Sequence, residues 1–449
     1  MELHDHFILD MRQMLGEEYA QFEACMNLPH VRGIRINTLK FSPDDWYSLC
    51  LPIRKCPFSE SGFYLDSDDM SIGNSPWHHA GVIYSQEPSA MSAVTILAPQ
   101  PGEKVLDMCA APGGKSTQIA AALDGEGLLW SNEYVRKRAQ ILLSNVERMG
   151  IRNCVVSSAH PDRLAEGLSG FFDKVLVDAP CSGEGMFRRD PQAVADWSPE
   201  HSEACAVRQL AILDSAAKCL REGGVLVYST CTFSLRENED VVAAFLDSHP
   251  DFMLEPSGVQ FGRPGFDRSD KYDLTKTRRI FPMDGGEGHF AARLRKAGES
   301  CSASVSQANK KTGDDEKRAG ELYASCFKNA PYGRISRIGD SCYILPEMMP
   351  EVKGLGVLRG GVLLGDMMKN RIEPSHALFM AAKAEECVSL ASFEPDSREL
   401  AAFLHGEEIM VDERFKGYTA VACKGTVTGF GKCSGGRLKN RYPKGLRSL

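Results

Sequence analysis

The pattern of apolar and polar positions divides the chain before any motif is considered. Residues 104–108 (KVLDM), 127–133 (GLLWSNE), 154–158 (CVVSS), 172–180 (FDKVLVDAP) and 223–231 (GGVLVYSTC) are short, mostly apolar runs. Such runs mark strands buried on both faces. Between them lie stretches of helical character: 115–123, a segment ending at Arg148, 199–220 and 237–248. Strands that alternate with helices predict an α/β unit, a doubly wound parallel sheet spanning residues 76–296. Residues 1–75 read as a small mixed α/β segment, with an amphipathic helix over Ile8 to Cys25 and an extended stretch from Arg32 to Lys40. From 297 to 320 the composition shifts to Ser, Ala, Lys, Gly and Asp with little to bury, which predicts a flexible linker. Residues 321–449 form a separate C-terminal domain, with β-rich stretches at 341–346, 361–367 and 418–427 and a helix near Ser375 to Ala384.

Composition adds limits. The 449 residues suggest two to four domains at about 150 residues each. No apolar run reaches the ~18 residues of a membrane span, and MELHDHFILD lacks a basic-then-apolar signal pattern. A cytoplasmic protein with no membrane partner is expected. The 15 cysteines include no C-x-x-C pair, so neither zinc nor any other metal is expected and most read as reduced, buried small hydrophobes. A net charge of -8 argues against nucleic-acid binding by bulk charge but not against a local cluster. One cluster closes the chain: Lys424, Lys432, Arg437, Lys439, Arg441, Lys444 and Arg447, with no acidic residue between them. His78 and His79, beside Trp77, read as packing residues.

Three segments carry candidate chemistry. Asp107 to Ser116 (DMCAAPGGKS) lies where a buried strand meets a helix, the crevice position for ligands in open α/β sheets. Gly113 and Gly114 permit a tight turn, and the helix start offers free amide donors. The P-loop pattern is not matched. Glu133, ending the next strand, is placed to accept hydrogen bonds from ribose hydroxyls. From these residues alone, an adenosyl cofactor and a turn that merely needs glycine stay equally open. Two cysteines then fall at predicted strand ends: Cys181 in VDAPCSGEG (177–185) and Cys231 in YSTCTFS (228–234). Glu237 and Glu239, just beyond, read as helix-start residues.

Together these motifs resemble those of the NOL/NOP/SUN (RsmB/RsmF-type) family of RNA 5-methylcytosine methyltransferases, and are most similar to its bacterial RsmF-like branch, which modifies small-subunit ribosomal RNA. The resemblance implies a Rossmann-like class I methyltransferase sheet and S-adenosyl-L-methionine as cofactor. It implies cofactor contacts from Cys109, Ala110, Ala111, Pro112, Gly113, Gly114 and Lys115, and from Glu133 and Asp178. It assigns Cys231 as the nucleophile at carbon 6 of cytosine and Cys181 as the residue that resolves the adduct. Asp178 would hold the cytosine edge, with Lys115 as its basic neighbour. One position departs from the pattern: where relatives often place an acid against the adenine, this chain has His160, with Asp162 nearby. Arg32 to Lys40 resembles the RNA-contacting N-terminal segment. Tyr84 to Met91 resembles the opening of the catalytic domain, and Phe281 to Phe290 its closing strands. Gly429 to Lys432 and Lys439 to Arg447 resemble the C-terminal RNA-binding domain of the RsmF-like branch, where Phe430 and Tyr442 offer stacking faces. The implied partner is RNA, as small-subunit ribosomal RNA or the assembled subunit, met by a monomer. The same motifs admit transfer RNA or large-subunit ribosomal RNA as substrate, or a catalytically silent RNA-binding assembly factor.

Overall fold

In the computed structural model, which describes residues 3–49, 51, 53–66, 72–299, 313–351, 353–369 and 371–447, the five apolar runs become neighbouring strands. These are β1 (Lys104–Asp107), β2 (Leu128–Asn132), β3 (Cys154–Ser157), β4 (Phe172–Asp178) and β5 (Leu220–Thr230), followed by β6 (His289–Lys296). Their order across the sheet is β6-β5-β4-β1-β2-β3. β1 to β5 are parallel, and β6 runs antiparallel beside β5. Alternate side chains face opposite helical layers. Leu106, Trp130, Val155, Val177 and Tyr228 pack toward helices Pro199–Cys219 and Glu239–Ser248. Val105, Leu129, Val156, Leu176 and Val227 pack toward Ser92–Leu97, Gly114–Ala122 and Arg136–Arg148. Burial on both faces explains why these strands are so apolar. The strand order reverses between β1 and β4, so a crevice opens there at the carboxyl ends of the strands.

The outer units contribute to this frame. The N-terminal helical segment is two helices, Asp5–Leu15 and Tyr19–Met26, rather than one over Ile8 to Cys25. Gly16, at φ 53, breaks it where other residues are strained. Phe7 and Phe22 from these helices join Phe187, Phe233 and Phe281 of the catalytic unit in one cluster. The N-terminal antiparallel sheet takes in Ile83–Ser85, which pairs with Gly33–Ile36, so this unit extends past residue 75. Within the stretch expected to touch RNA, Ile34, Arg35 and Ile36 are buried. Arg35 instead donates to Gln86 Oε1 at 3.1 Å and Thr117 Oγ1 at 2.5 Å, tying this sheet to the helix Gly114–Ala122. Arg35 itself therefore serves as internal support, since its side chain is buried and bonded within the protein.

Helix Asp314–Cys326 begins inside the stretch expected to be a linker through residue 320, while residues 300–312 lie outside the described residues. The C-terminal region holds two sheets, one of four strands and one of five. A further strand, Val357–Gly360, leaves them to pair antiparallel with β3 and completes the edge of the catalytic sheet. The 418–427 stretch is a hairpin, Gly417–Cys423 and Thr426–Ser434, turned at Lys424 and Gly425, both at positive φ. Phe430 and Tyr442 are each only 3% exposed. Phe430 stacks on Phe379 with centroids 4.2 Å apart. Both rings are therefore core residues and not platforms for bases. The basic side chains of Lys424, Lys432, Arg437, Lys439, Arg441 and Lys444 do remain exposed. Among the described residues no helix is long and apolar enough to cross a membrane.

Beneath β5 and β6, Arg279 and Glu239 form an ion pair buried on both sides, with Nε donating to Oε1 at 2.7 Å. Arg279 Nη1 also donates to the carbonyl of Phe233 at 2.8 Å. Removing one partner strands a buried charge. Glu239→Ala is expected to cost about 3–5 kcal/mol in a urea unfolding series. Glu166→Ala, at the exposed pair with Arg163, should stay within about 1 kcal/mol of the parent.

Candidate active site

The turn after β1 is built by its own polar contacts. Asp107 is fully buried at the end of β1 and accepts from Ser116 Oγ at 2.7 Å. That bond fixes the first turn of helix Gly114–Ala122 against the strand. Burial pushes the Asp107 carboxyl up to about 7, a shift that the Ser116 hydrogen bond opposes. Gly113 caps the helix at φ 117, a conformation reserved for glycine. Ala110 N donates to Asn132 O at 2.8 Å, and Arg138 Nη2 to Ala111 O at 3.0 Å. The turn from Cys109 to Lys115 is thus held open over the crevice, with helix amides at its base. Glu133, at the end of β2, is buried, receives Val135 N at 2.9 Å and lies 3.4 Å from Arg138. His160 caps helix Pro161–Gly167 after β3 and sets its ring edge-on to Tyr134, centroids 5.4 Å apart. Asp162 is engaged by Ser215 Oγ at 2.7 Å.

Across the crevice, β4 ends at Asp178. Its Oδ2 receives Lys115 Nζ at 2.6 Å, and its Oδ1 receives Ser229 Oγ at 2.8 Å. Burial alone raises this carboxyl, but the Lys115 ammonium, with the hydrogen bonds from Lys115 and Ser229, outweighs it and holds Asp178 below the usual carboxylate range. Burial likewise opposes the charge on Lys115, and Asp178 more than restores it. His289 was not singled out in the sequence. It starts β6 at this same edge, 3% exposed, with Nε2 3.9 Å from Asp178 Oδ1. Burial, then the Lys115 charge, keep it neutral by pushing its pKa down to about 3. Its proximity depends on the pairing of β6 with β5, which no local pattern announces.

The two cysteines meet here. Cys181 Sγ and Cys231 Sγ are 3.4 Å apart, both as free thiols. The hydrogen bond to Cys231, then burial, push the Cys181 thiol well up, so this sulfur keeps its proton. The loops that carry them are cross-braced by two buried carboxylates. Glu237 accepts from Ser182 N at 3.0 Å, Ser202 Oγ at 2.8 Å and Gln209 Nε2 at 2.8 Å. Glu184 accepts from Phe233 N at 2.8 Å and Trp197 Nε1 at 2.9 Å, and burial raises it to about 7. Gly185 N donates to Cys231 O at 2.8 Å, and a Cβ at Gly185 would come within 2.9 Å of that oxygen. Glu237 precedes its helix, which begins at Glu239. It serves the Cys181 loop and not a helix start, a role visible only once the loops are adjacent.

A turn fit for a nucleoside ligand, an ion-paired carboxylate and two thiols therefore share one edge of the sheet. Family models match nearly every part of the chain. Residues 94–295 match the 16S rRNA methyltransferase RsmB/F family, and residues 3–88 the N-terminal domain of 16S rRNA methyltransferase RsmF. Residues 322–381 match the RsmF rRNA methyltransferase first C-terminal domain, and 391–448 the methyltransferase RsmF PUA domain. The ribosomal RNA small subunit methyltransferase F of Erwinia tasmaniensis is 32% identical, over 98% of this chain and 96% of that protein. Its counterpart from Vibrio cholerae is 31% identical over 99% and 98%. Among solved structures, a methyltransferase homolog from Pyrococcus horikoshii is 30% identical over 64% of this chain and 98% of its own, with a TM-score of 0.57. NSun6 of the same organism, solved with SFG, shares the fold at 23% identity and a TM-score of 0.56, over 66% of this chain and 99% of its own. The chain belongs to the RsmB/RsmF family of small-subunit ribosomal RNA methyltransferases, in its RsmF branch.

Proposed function

We propose that this methyltransferase transfers the methyl group of S-adenosyl-L-methionine to carbon 5 of a cytosine in small-subunit ribosomal RNA, through a bond between Cys231 and carbon 6. The observation that carries this reading is the pair of free thiols 3.4 Å apart on separate strand ends, beside the Lys115–Asp178 ion pair. The turn from Cys109 to Lys115, with Glu133, would hold the cofactor through helix amides and a carboxylate suited to ribose hydroxyls. At the third strand end His160 would meet the adenine, or Asp162 beside it, whose exposed Oδ2 lies 3.4 Å from His160 Nδ1. When bound, the cofactor supplies an electrophilic methyl group.

The chain's own residues then act on the base. Cys231 adds as thiolate to carbon 6. The electron pair of the C5–C6 double bond shifts to carbon 5, which takes the methyl group. A base removes the carbon-5 proton, the double bond re-forms, and the Cys231 sulfur departs as thiolate. Cys181, protonated and within hydrogen-bond reach, stabilises the departing sulfur. Asp178, held ionised, accepts from the exocyclic amine and orients the ring. The target base must be unpaired or flipped out to reach this crevice, and the exposed basic residues from Lys424 to Lys444 are placed to meet phosphates.

Cys231→Ala is expected to lower methyl transfer roughly 10⁴-fold or more, with cofactor affinity by calorimetry nearly unchanged; lost cofactor binding would count against the assignment. Cys181→Ala should accumulate a covalent protein–RNA adduct, visible as a retarded band on a denaturing gel. Trapping by the Cys231 variant instead would exchange the two roles. Labelled S-adenosyl-L-methionine offered with small-subunit RNA, assembled small subunits, large-subunit RNA and transfer RNA should label only small-subunit material, at 5-methylcytosine. Label on another RNA would overturn the substrate, and label at another atom the chemistry.

A further inference from the structure

The two active-site thiols sit in a register that permits more than catalysis. β4 and β5 run parallel as neighbours up to the pair Asp178 and Ser229. Beyond the strands the loops stay side by side. Ser182 Oγ and Thr232 Oγ1, in the residues directly after Cys181 and Cys231, are 2.9 Å apart. Neighbouring strands lie about 4.8 Å apart, and a disulfide joins Cα atoms about 4.4–6.8 Å apart. The two sulfurs, now at 3.4 Å, would have to close to about 2.05 Å. Rotation of the two side chains provides that approach without parting the loops.

Both sulfurs are also within reach of solvent. Among the described cysteines only Cys25, Cys109, Cys181 and Cys231 are partly exposed, and the others are buried. A crevice that admits carbon 6 of a nucleobase to Cys231 also admits hydrogen peroxide, a far smaller molecule. A lone thiolate that meets peroxide becomes a sulfenic acid and then a sulfinic acid, which thiols do not reverse. A second thiol at contact distance intercepts the sulfenic acid first.

We propose that Cys181 and Cys231 are a peroxide-oxidation site, whose reversible disulfide switches off methyl transfer and shields Cys231 from permanent damage. The control of activity rests on Cys231 being the nucleophile. The Cys231 thiolate attacks one peroxide oxygen: an S–O bond forms, the O–O bond breaks, and hydroxide leaves as water with the proton Cys231 had shed. Cys181 then attacks the Cys231 sulfur. The S–S bond forms, the S–O bond breaks, and the departing hydroxide takes the Cys181 proton as a second water. Two thiols are oxidised and one peroxide is reduced, and a dithiol restores the pair by exchange. Glu184 and Glu237 hold the two loops in place throughout, and the turn from Cys109 to Lys115 takes no part. Oxidation therefore removes the nucleophile and leaves the cofactor site intact.

Full-length protein treated with hydrogen peroxide should lose two hydrogens by intact mass, and peptide mapping should join the peptides of Cys181 and Cys231. Methyl transfer should fall in proportion to the joined fraction and return to the untreated level with dithiothreitol. Cofactor affinity by calorimetry should be unchanged. In Cys181→Ala, shown folded by circular dichroism and read by mass alone, the same treatment should carry Cys231 to a sulfinic acid that dithiothreitol does not reverse. Cys25→Ser should match the parent in every readout. Peroxide that leaves Cys181 and Cys231 unjoined, or full recovery of the Cys231 thiol in Cys181→Ala, would overturn the inference and leave the nucleophile assignment standing. A complete cross-link with methyl transfer intact would overturn both.

Discussion

The arrangement of the active site depends on two buried carboxylates that hold two loops in register. Glu184 and Glu237 have no solvent to turn to, so their oxygens are used on backbone amides of the loops after β4 and β5 and on the side chains of Trp197, Ser202 and Gln209. Those loops carry Cys181 and Cys231. Sulfur atoms on independent loops would drift apart. Here the bracing holds them at hydrogen-bond distance. The surrounding packing reinforces this, since the aromatic cluster of Phe7, Phe22, Phe233 and Phe281 presses the N-terminal helices against the residues that follow Cys231.

The charge pair of Lys115 and Asp178 works on a second principle. Each group alone would be driven toward neutrality by burial, and each restores the other's charge. The ammonium and the carboxylate are thus kept ready in a partly closed crevice without either relying on bulk water. His289 completes the setting as a neutral ring beside the pair.

Much of this was legible in the amino-acid sequence, and for a definite reason. A parallel sheet covered on both faces demands apolar strands, so Val105, Leu129, Val156, Leu176 and Val227 and their neighbours announced β1 to β5 directly. Chemistry at strand ends is also local: the glycine turn before Lys115 and the two Pro-Cys and Thr-Cys motifs sit where the strands stop. What could not be read depends on distant pairing. Ile83–Ser85 belongs to the N-terminal sheet and Val357–Gly360 to the catalytic one only because of partners far along the chain. Arg35, Phe430 and Tyr442 have side chains equally suited to a nucleic acid and to an interior, and burial decided for the interior. The RsmF-type resemblance supplied the branch of the family, which the residues alone did not distinguish.

The strand Val357–Gly360 has a consequence for how the protein is made. The chain of the catalytic domain is finished by Lys296, yet the edge of β3 stays open until Gly360 has been synthesised. At about 5–20 residues per second, the intervening stretch takes several seconds to appear. Throughout that interval β3 presents unpaired backbone donors and acceptors, the kind of edge that recruits stray strands. A nascent chain that stalls between the two points would carry all its catalytic residues and still be a hazard to its neighbours.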